Sequence, residues 1–240
     1  MMEMIQNAED ATLLALGQHV GYEHSSSRPQ VGPAFWRSGY FRLFIAHLAD
    51  HRALAGDLQR ELFGFAISSF VAHNDIEPTR EWQDEIESAL ASCDGLLALL
   101  HPGFHESNWT DQEIGYAMGR GVLPVALRCG QDPYGFIGRF QAMQGHGKEA
   151  ATVARELFAV LRSHRQTRQR MAESLVTRLE HSDTFAGAKA SMDLLDDVQY
   201  WDAALTSRVR TAVRSNGQVR DAWTVPERVK QLIRRMEAGT

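Results

Sequence analysis

Between residues 41 and 127 the chain alternates short, unbroken apolar runs with longer stretches whose apolar residues recur at helical spacing. Few folds accept that pattern. Residues 41–47 (FRLFIAH), 66–73 (AISSFVAH), 95–101 (GLLALLH) and 122–128 (VLPVALR) have the length and composition of buried strands. Between them, Leu54, Leu58 and Leu62 mark a helix with Asp50 as its expected N-cap, and Trp82, Ile86 and Leu90 mark a second. A third helix is expected from about Trp109 to Arg120. A short fifth strand over 141–144 and a helix carrying Val153, Leu157, Val160 and Leu161 close the unit.

Strands that are apolar throughout need cover on both faces, which strand–helix alternation supplies through right-handed crossovers between parallel strands. Elements this short predict an α/β, flavodoxin-like, five-stranded parallel sheet of order 2-1-3-4-5. Its ligand crevice should lie at the carboxyl ends of strands one and three, where the winding reverses. The loops after His47 and His101 then lie side by side.

This predicts an α/β domain over 39–164 between two extensions. Residues 1–38 hold a helix candidate around Leu13, Leu14 and Leu16, then a linker with Ser25, Ser26, Ser27, Pro29 and Pro33. Residues 165–240 hold three amphipathic segments, marked by Met171, Leu175 and Leu179, by Leu205, Val209 and Val213, and by Val229, Ile233 and Met236, the last opened by Pro226. Such a tail can be a small helical domain, a layer packed on the sheet, or an oligomerisation arm.

Charge divides along the same line. Up to His164 there are 12 Lys+Arg against 20 Asp+Glu, and from Arg165 onward 13 against 10. The acidic body argues against nucleic-acid binding, and the tail's cations suit the solvated faces of its helices. Two cysteines fit a reducing compartment, no apolar run approaches the ~20 residues of a membrane span, and residues 1–10 lack a basic leader, so the expected location is cytoplasmic.

Several chemistries lack their signatures. Gly115, Gly119 and Gly121 fall late in a helix instead of at a strand-to-helix turn, and Gly147-Lys148 lacks the rest of a phosphate loop. His47, His73 and His101 each end a strand and share one rim. Zinc would require them to converge to about 2 Å from one ion, and a polar lining for the crevice suits them better. The sharpest signal is residues 104–117 (FHESNWTDQEIGYA), which set Trp109 one helical turn before Glu113. Two readings fit that spacing: a functional carboxylate near the crevice, or a capping box of Thr110 with Glu113 and a staple of Trp109 on Ile114.

These residues, with 41–47, 70–82 (FVAHNDIEPTREW), 85–90 and Pro102-Gly103-Phe104, make the chain resemble a bacterial Toll/interleukin-1 receptor (TIR) domain of the NAD-cleaving kind. The likeness extends from about Tyr40 to Arg162. Ala46 departs from it where serine is common, and Pro78-Thr79 replaces a frequent Pro-Gly. The resemblance implies Glu113 as the catalytic glutamate and Ala46, His47, Asp75, Phe104 and Trp109 as substrate-facing positions. Residues 74–79 become the loop that shapes the site; Asp75 also suits a plain turn role, and Trp109 a core one.

The resemblance further implies NAD as substrate with no separate cofactor or metal, TIR–TIR self-association, and a separate effector reached through an ADP-ribose-derived messenger, as in Thoeris-type antiphage defence. Nicotinamide in NAD is already cationic and leaves neutral, so one carboxylate can serve where glycosidases ordinarily need two. The rival is a non-enzymatic TIR adaptor in which Glu113 only caps its helix; a third is a nucleoside deoxyribosyltransferase-like hydrolase.

Overall fold

A computed structural model of the chain describes residues 34–71 and 80–238. Its sheet is five-stranded and parallel: β1 (Phe41–Ala46), β2 (Ile67–Val71), β3 (Gly95–Leu100), β4 (Leu123–Arg128) and β5 (Met143–Gln144), in spatial order β2-β1-β3-β4-β5. The flavodoxin-like order expected from the crossovers is the order observed. The helix candidate near Leu13, the histidine His73, and the loop 74–79 with Asp75 lie outside the described residues.

Strand parity divides the core in two. Leu43, Ile45, Leu97, Leu99, Val125 and Leu127 face one side, while Phe44, Ala46, Leu96, Ala98, Leu100 and Ala126 face the other. The first face is covered by α1 (Arg52–Phe63) through Leu58 and Leu62 and by α4 (Ala150–Ser163) through Leu157 and Leu161. The second is covered by α2 (Arg80–Ser92) through Ile86 and Leu90 and by α3 (Thr110–Gly119) through Ile114 and Ala117. Each fully buried Leu or Ile contributes about 1.5–3 kcal/mol, which is why the central strands have no polar side.

The strands are shorter than their apolar runs. Pairing of β1 with β3 stops at Ala46–Ala98, so His47 and His101 lie just past the sheet. Ala66 falls outside β2 because its φ is +60°, the left-handed turn conformation that reverses the chain after α1. Its carbonyl accepts from Phe41 N–H (3.0 Å) and from the Ser174 hydroxyl (3.1 Å), which holds it there. Asp50 is not the N-cap of α1. A single 3-10 turn, Ala49–His51, comes first, and His51 occupies the cap without a side-chain bond.

The tail folds as α5 (Arg168–Glu180), α6 (Phe185–Leu195), α7 (Ala203–Ser215), the short α8 (Gly217–Arg220) and α9 (Val225–Ala238). The three expected amphipathic segments are α5, α7 and α9. Small residues in α6 (FAGAKASMDLL) blur its periodicity, and its start is set by Thr184, whose Oγ1 accepts from Gly187 N–H (2.9 Å). Met171, Leu175 and Leu179 are fully buried in the same hydrophobic cluster as the first sheet face, so the tail is a further layer on it.

Polar ties reinforce that layer at the amino end of the sheet. Arg170 reaches Asp94 (3.2 Å) and the carbonyls of Gly39 and Tyr40, and Arg42 grips the same Asp94 (2.6 Å). Gly39 takes φ +78° beneath α5, where a Cβ would stand 2.5 Å from Thr177 Cγ2. No helix among the described residues is long and apolar enough to cross a membrane.

Candidate active site

The chain leaves β3 through Pro102-Gly103 and makes one 3-10 turn, Phe104–Glu106, before α3. Gly103 takes φ +83°, which turns the backbone so that Phe104 N–H reaches the His101 carbonyl (3.0 Å). The Phe104 ring then drops into the second core face, fully buried with Ala46, Leu100, Ile114 and Ala117 in one cluster. Its carbonyl accepts from Thr110 Oγ1 (2.6 Å), which pins the first residue of α3 to the turn.

That bond decides what Glu113 can be. With the Thr110 hydroxyl turned back to Phe104, Trp109 is the N-cap, its backbone already helical (φ −113°, ψ −44°) and without a side-chain cap bond. The capping box, one of the two readings that the spacing allowed, is therefore absent. Glu113 stands at the fourth helical position, its N–H bonded to the Trp109 carbonyl (2.9 Å), where its carboxylate does not serve the helix end. The staple fails for the same one-residue reason, since it needs an apolar residue before the cap.

Glu113 is 6% exposed, and among the described residues its carboxylate has neither hydrogen-bond nor ion-pair partner. Burial alone pushes its pKa up to about 8. Trp109, one turn back on the same side of the helix, is 38% exposed. A carboxyl that is almost wholly buried thus sits one turn from a partly exposed tryptophan.

The other positions divide. His47 is buried, its Nδ1 bonded to the Ile45 carbonyl (3.0 Å), which fixes the ring just beyond β1. Ala46 and Phe104 are brought together, but both are fully buried. Both lie in the apolar face beneath α3 and not at the surface, where the resemblance would have them face substrate. The reason is strand parity for Ala46 and the inward 3-10 turn for Phe104. Asp75 lies outside the described residues.

The rim holds more than the sequence predicted. His101 stacks on His51 with ring centroids 3.3 Å apart and planes at 14°. Burial, with His51 and His146 close by, pushes its pKa down to about 4, so it is neutral at ordinary pH. The partners from the loops after β1 and β5 were missed, because a shared rim does not say which loop residue turns inward. Tyr134 was also missed. Its hydroxyl donates to Asp111 (2.5 Å) and His105 meets its ring edge-on at 5.8 Å, holding the loop after β4 against the first turn of α3. Among the described residues no group of three or more His, Cys, Asp or Glu is placed to hold a metal ion.

A family model described as TIR domain matches residues 43–158, from the middle of β1 into α4. The chain carries a TIR domain over that span, with the fold the sheet order had already defined. No curated protein matches the chain.

Proposed function

We propose that the TIR domain cleaves the nicotinamide–ribose bond of NAD, as a glycohydrolase or ADP-ribosyl cyclase, with Glu113 as the catalytic carboxylate. The observation that carries this reading is the isolation of that carboxyl: 6% exposed, without a partner among the described residues, and pushed up to about 8. A purely structural glutamate would be exposed, paired, or bonded to a helix end. Leaving one buried and unpaired disfavours the folded state and makes sense where a cation is to be met.

NAD brings that cation. Its nicotinamide ring is positive, and as the C1′–N1 bond breaks the electron pair passes to the ring nitrogen while positive charge gathers on the ribose as an oxocarbenium-like centre. An opposing carboxylate in a water-poor site stabilises that centre far more than one in bulk water. The arriving positive charge also lowers the Glu113 pKa, so substrate binding releases a proton. Water then bonds to C1′ and gives up a proton, which a carboxyl poised near neutrality can accept; an internal hydroxyl or ring nitrogen in place of water yields a cyclic product. Trp109 supplies an aromatic wall one turn away, and His47 lines the loop after β1. The resemblance adds Asp75 to the substrate-facing positions.

The wider role rests on the resemblance: a cytoplasmic enzyme that self-associates through TIR–TIR contacts and passes an ADP-ribose-derived signal to a separate effector in antiphage defence. The test is incubation of concentrated protein with NAD, resolving nicotinamide and nucleotide products by chromatography with mass detection. Wild type should release nicotinamide, and Glu113→Ala should lose at least about a hundredfold in rate, the scale of a removed electrostatic stabiliser. Cleavage by Glu113→Ala at the wild-type rate would refute the mechanism. Self-association without turnover in any form would transfer the assignment to the adaptor.

A further inference from the structure

The tail contains a feature that packing does not explain. Along α7, Arg210 and Arg214 stand one turn apart on one side, a like-charge spacing that weakens a helix. Across the seam, α9 turns Lys230 and Arg234 toward them. The seam holds two adjoining depressions that share Arg210, Arg214 and Glu237: one of about 590 Å³ reaching Trp201, the other of about 380 Å³ reaching Lys230 and Arg234. Both volumes fall in the range of small-ligand sites.

The carboxylates nearby are already engaged. Glu237 pairs with Arg210 across the seam (3.3 Å). Asp202 accepts from Leu205 N–H (2.8 Å) at the start of α7 and from the Tyr200 hydroxyl (3.1 Å). Lys230 meets Glu227 on its own helix (3.3 Å). Arg214 and Arg234 have no carboxylate partner among the described residues; Arg214 reaches only the Thr211 hydroxyl (3.2 Å). At the far end the Trp201 indole N–H is bonded to Thr206 Oγ1 (2.8 Å), which fixes the plane of a half-buried ring.

We propose that this seam binds a nucleotide, with phosphates against Arg214 and Arg234 and the base against Trp201. Guanidinium groups match phosphate oxygens two bonds at a time, and a fixed indole is a platform for a flat heterocycle. A small ligand fits better than a nucleic-acid strand, since the chain carries a net charge of −5 and the cations are confined to one short groove. The site lies outside residues 43–158 and does not depend on the reading of Glu113.

The test uses the full chain and ADP, which lacks the nicotinamide bond and is not consumed by NAD cleavage. Calorimetric titration should give saturable binding that weakens with added salt. Hydrogen–deuterium exchange should show protection over 203–215 and 225–238. The R214E/R234E pair, both on exposed positions, should weaken ADP at least about tenfold, the loss expected for charge-assisted bonds; R214Q/R234Q decides the matter if the first pair fails to fold. Adenosine and inorganic diphosphate should each bind more weakly than ADP. No saturable binding into the millimolar range, full affinity in the variants, protection confined to β1 and α3, or diphosphate binding as tightly as ADP would overturn the proposal.

Discussion

Replacing Glu113 by Gln should stabilise the protein, by an amount that grows with pH. The native carboxyl titrates near 8 against an ordinary 4.5, because burial disfavours its charged form. Between those values the native state holds a proton that the unfolded chain has released, so stability falls as pH rises through this window. Each pH unit costs about 1.4 kcal/mol, giving a penalty of about 3 kcal/mol at pH 7 and about 5 kcal/mol above pH 8, with almost none below pH 4.5. Gln keeps the shape, carries no charge, and leaves an amide as unpartnered as the protonated acid. Urea unfolding of both proteins at pH 5, 7 and 8.5 measures the difference directly. E113Q should be ahead by less than about 1 kcal/mol at pH 5, by about 3 kcal/mol at pH 7 and by more at pH 8.5. A gap that stays constant across this range would refute the burial argument, and a wild type that gains on the variant with rising pH would show that a cation faces Glu113 in the free protein.

Other consequences follow from the same geometry. If ionised Glu113 is the working form, kcat/KM for NAD should rise about tenfold per pH unit from pH 6 and level off near 8, as stopped-time assays across buffers would show; a flat profile from pH 6 to 9 contradicts this assignment. Phe104→Ala removes a fully buried ring and should cost about 3–5 kcal/mol in denaturant unfolding, with any activity loss tracking the folded fraction. A variant of unchanged stability and raised KM would instead restore Phe104 to the substrate surface.

Much of this architecture is legible in the linear chain because its cause is local. Apolar runs such as GLLALLH have no polar side to expose, so they must be central strands, and the crossovers that join them allow few sheet orders. The placing of Trp109 and Glu113 on one turn is likewise only helical geometry. Even the burial of Ala46 follows from parity, since it shares a sheet face with Phe44. The misses have a different origin. Whether Glu113 caps α3 or stands buried without a partner depends on one hydroxyl, that of Thr110, choosing the Phe104 carbonyl over a capping role. That choice exists only once the loop after β3 has folded inward. The stacking of His101 on His51, the anchoring of Tyr134 to Asp111, and the seam where α7 and α9 gather their arginines all join residues far apart in the chain or on separate elements. Periodicity reports which side of an element is apolar, and from that the sheet and its covering helices follow. It carries no information about which distant side chain will occupy the polar space left over, and in this protein both candidate sites are built in that space.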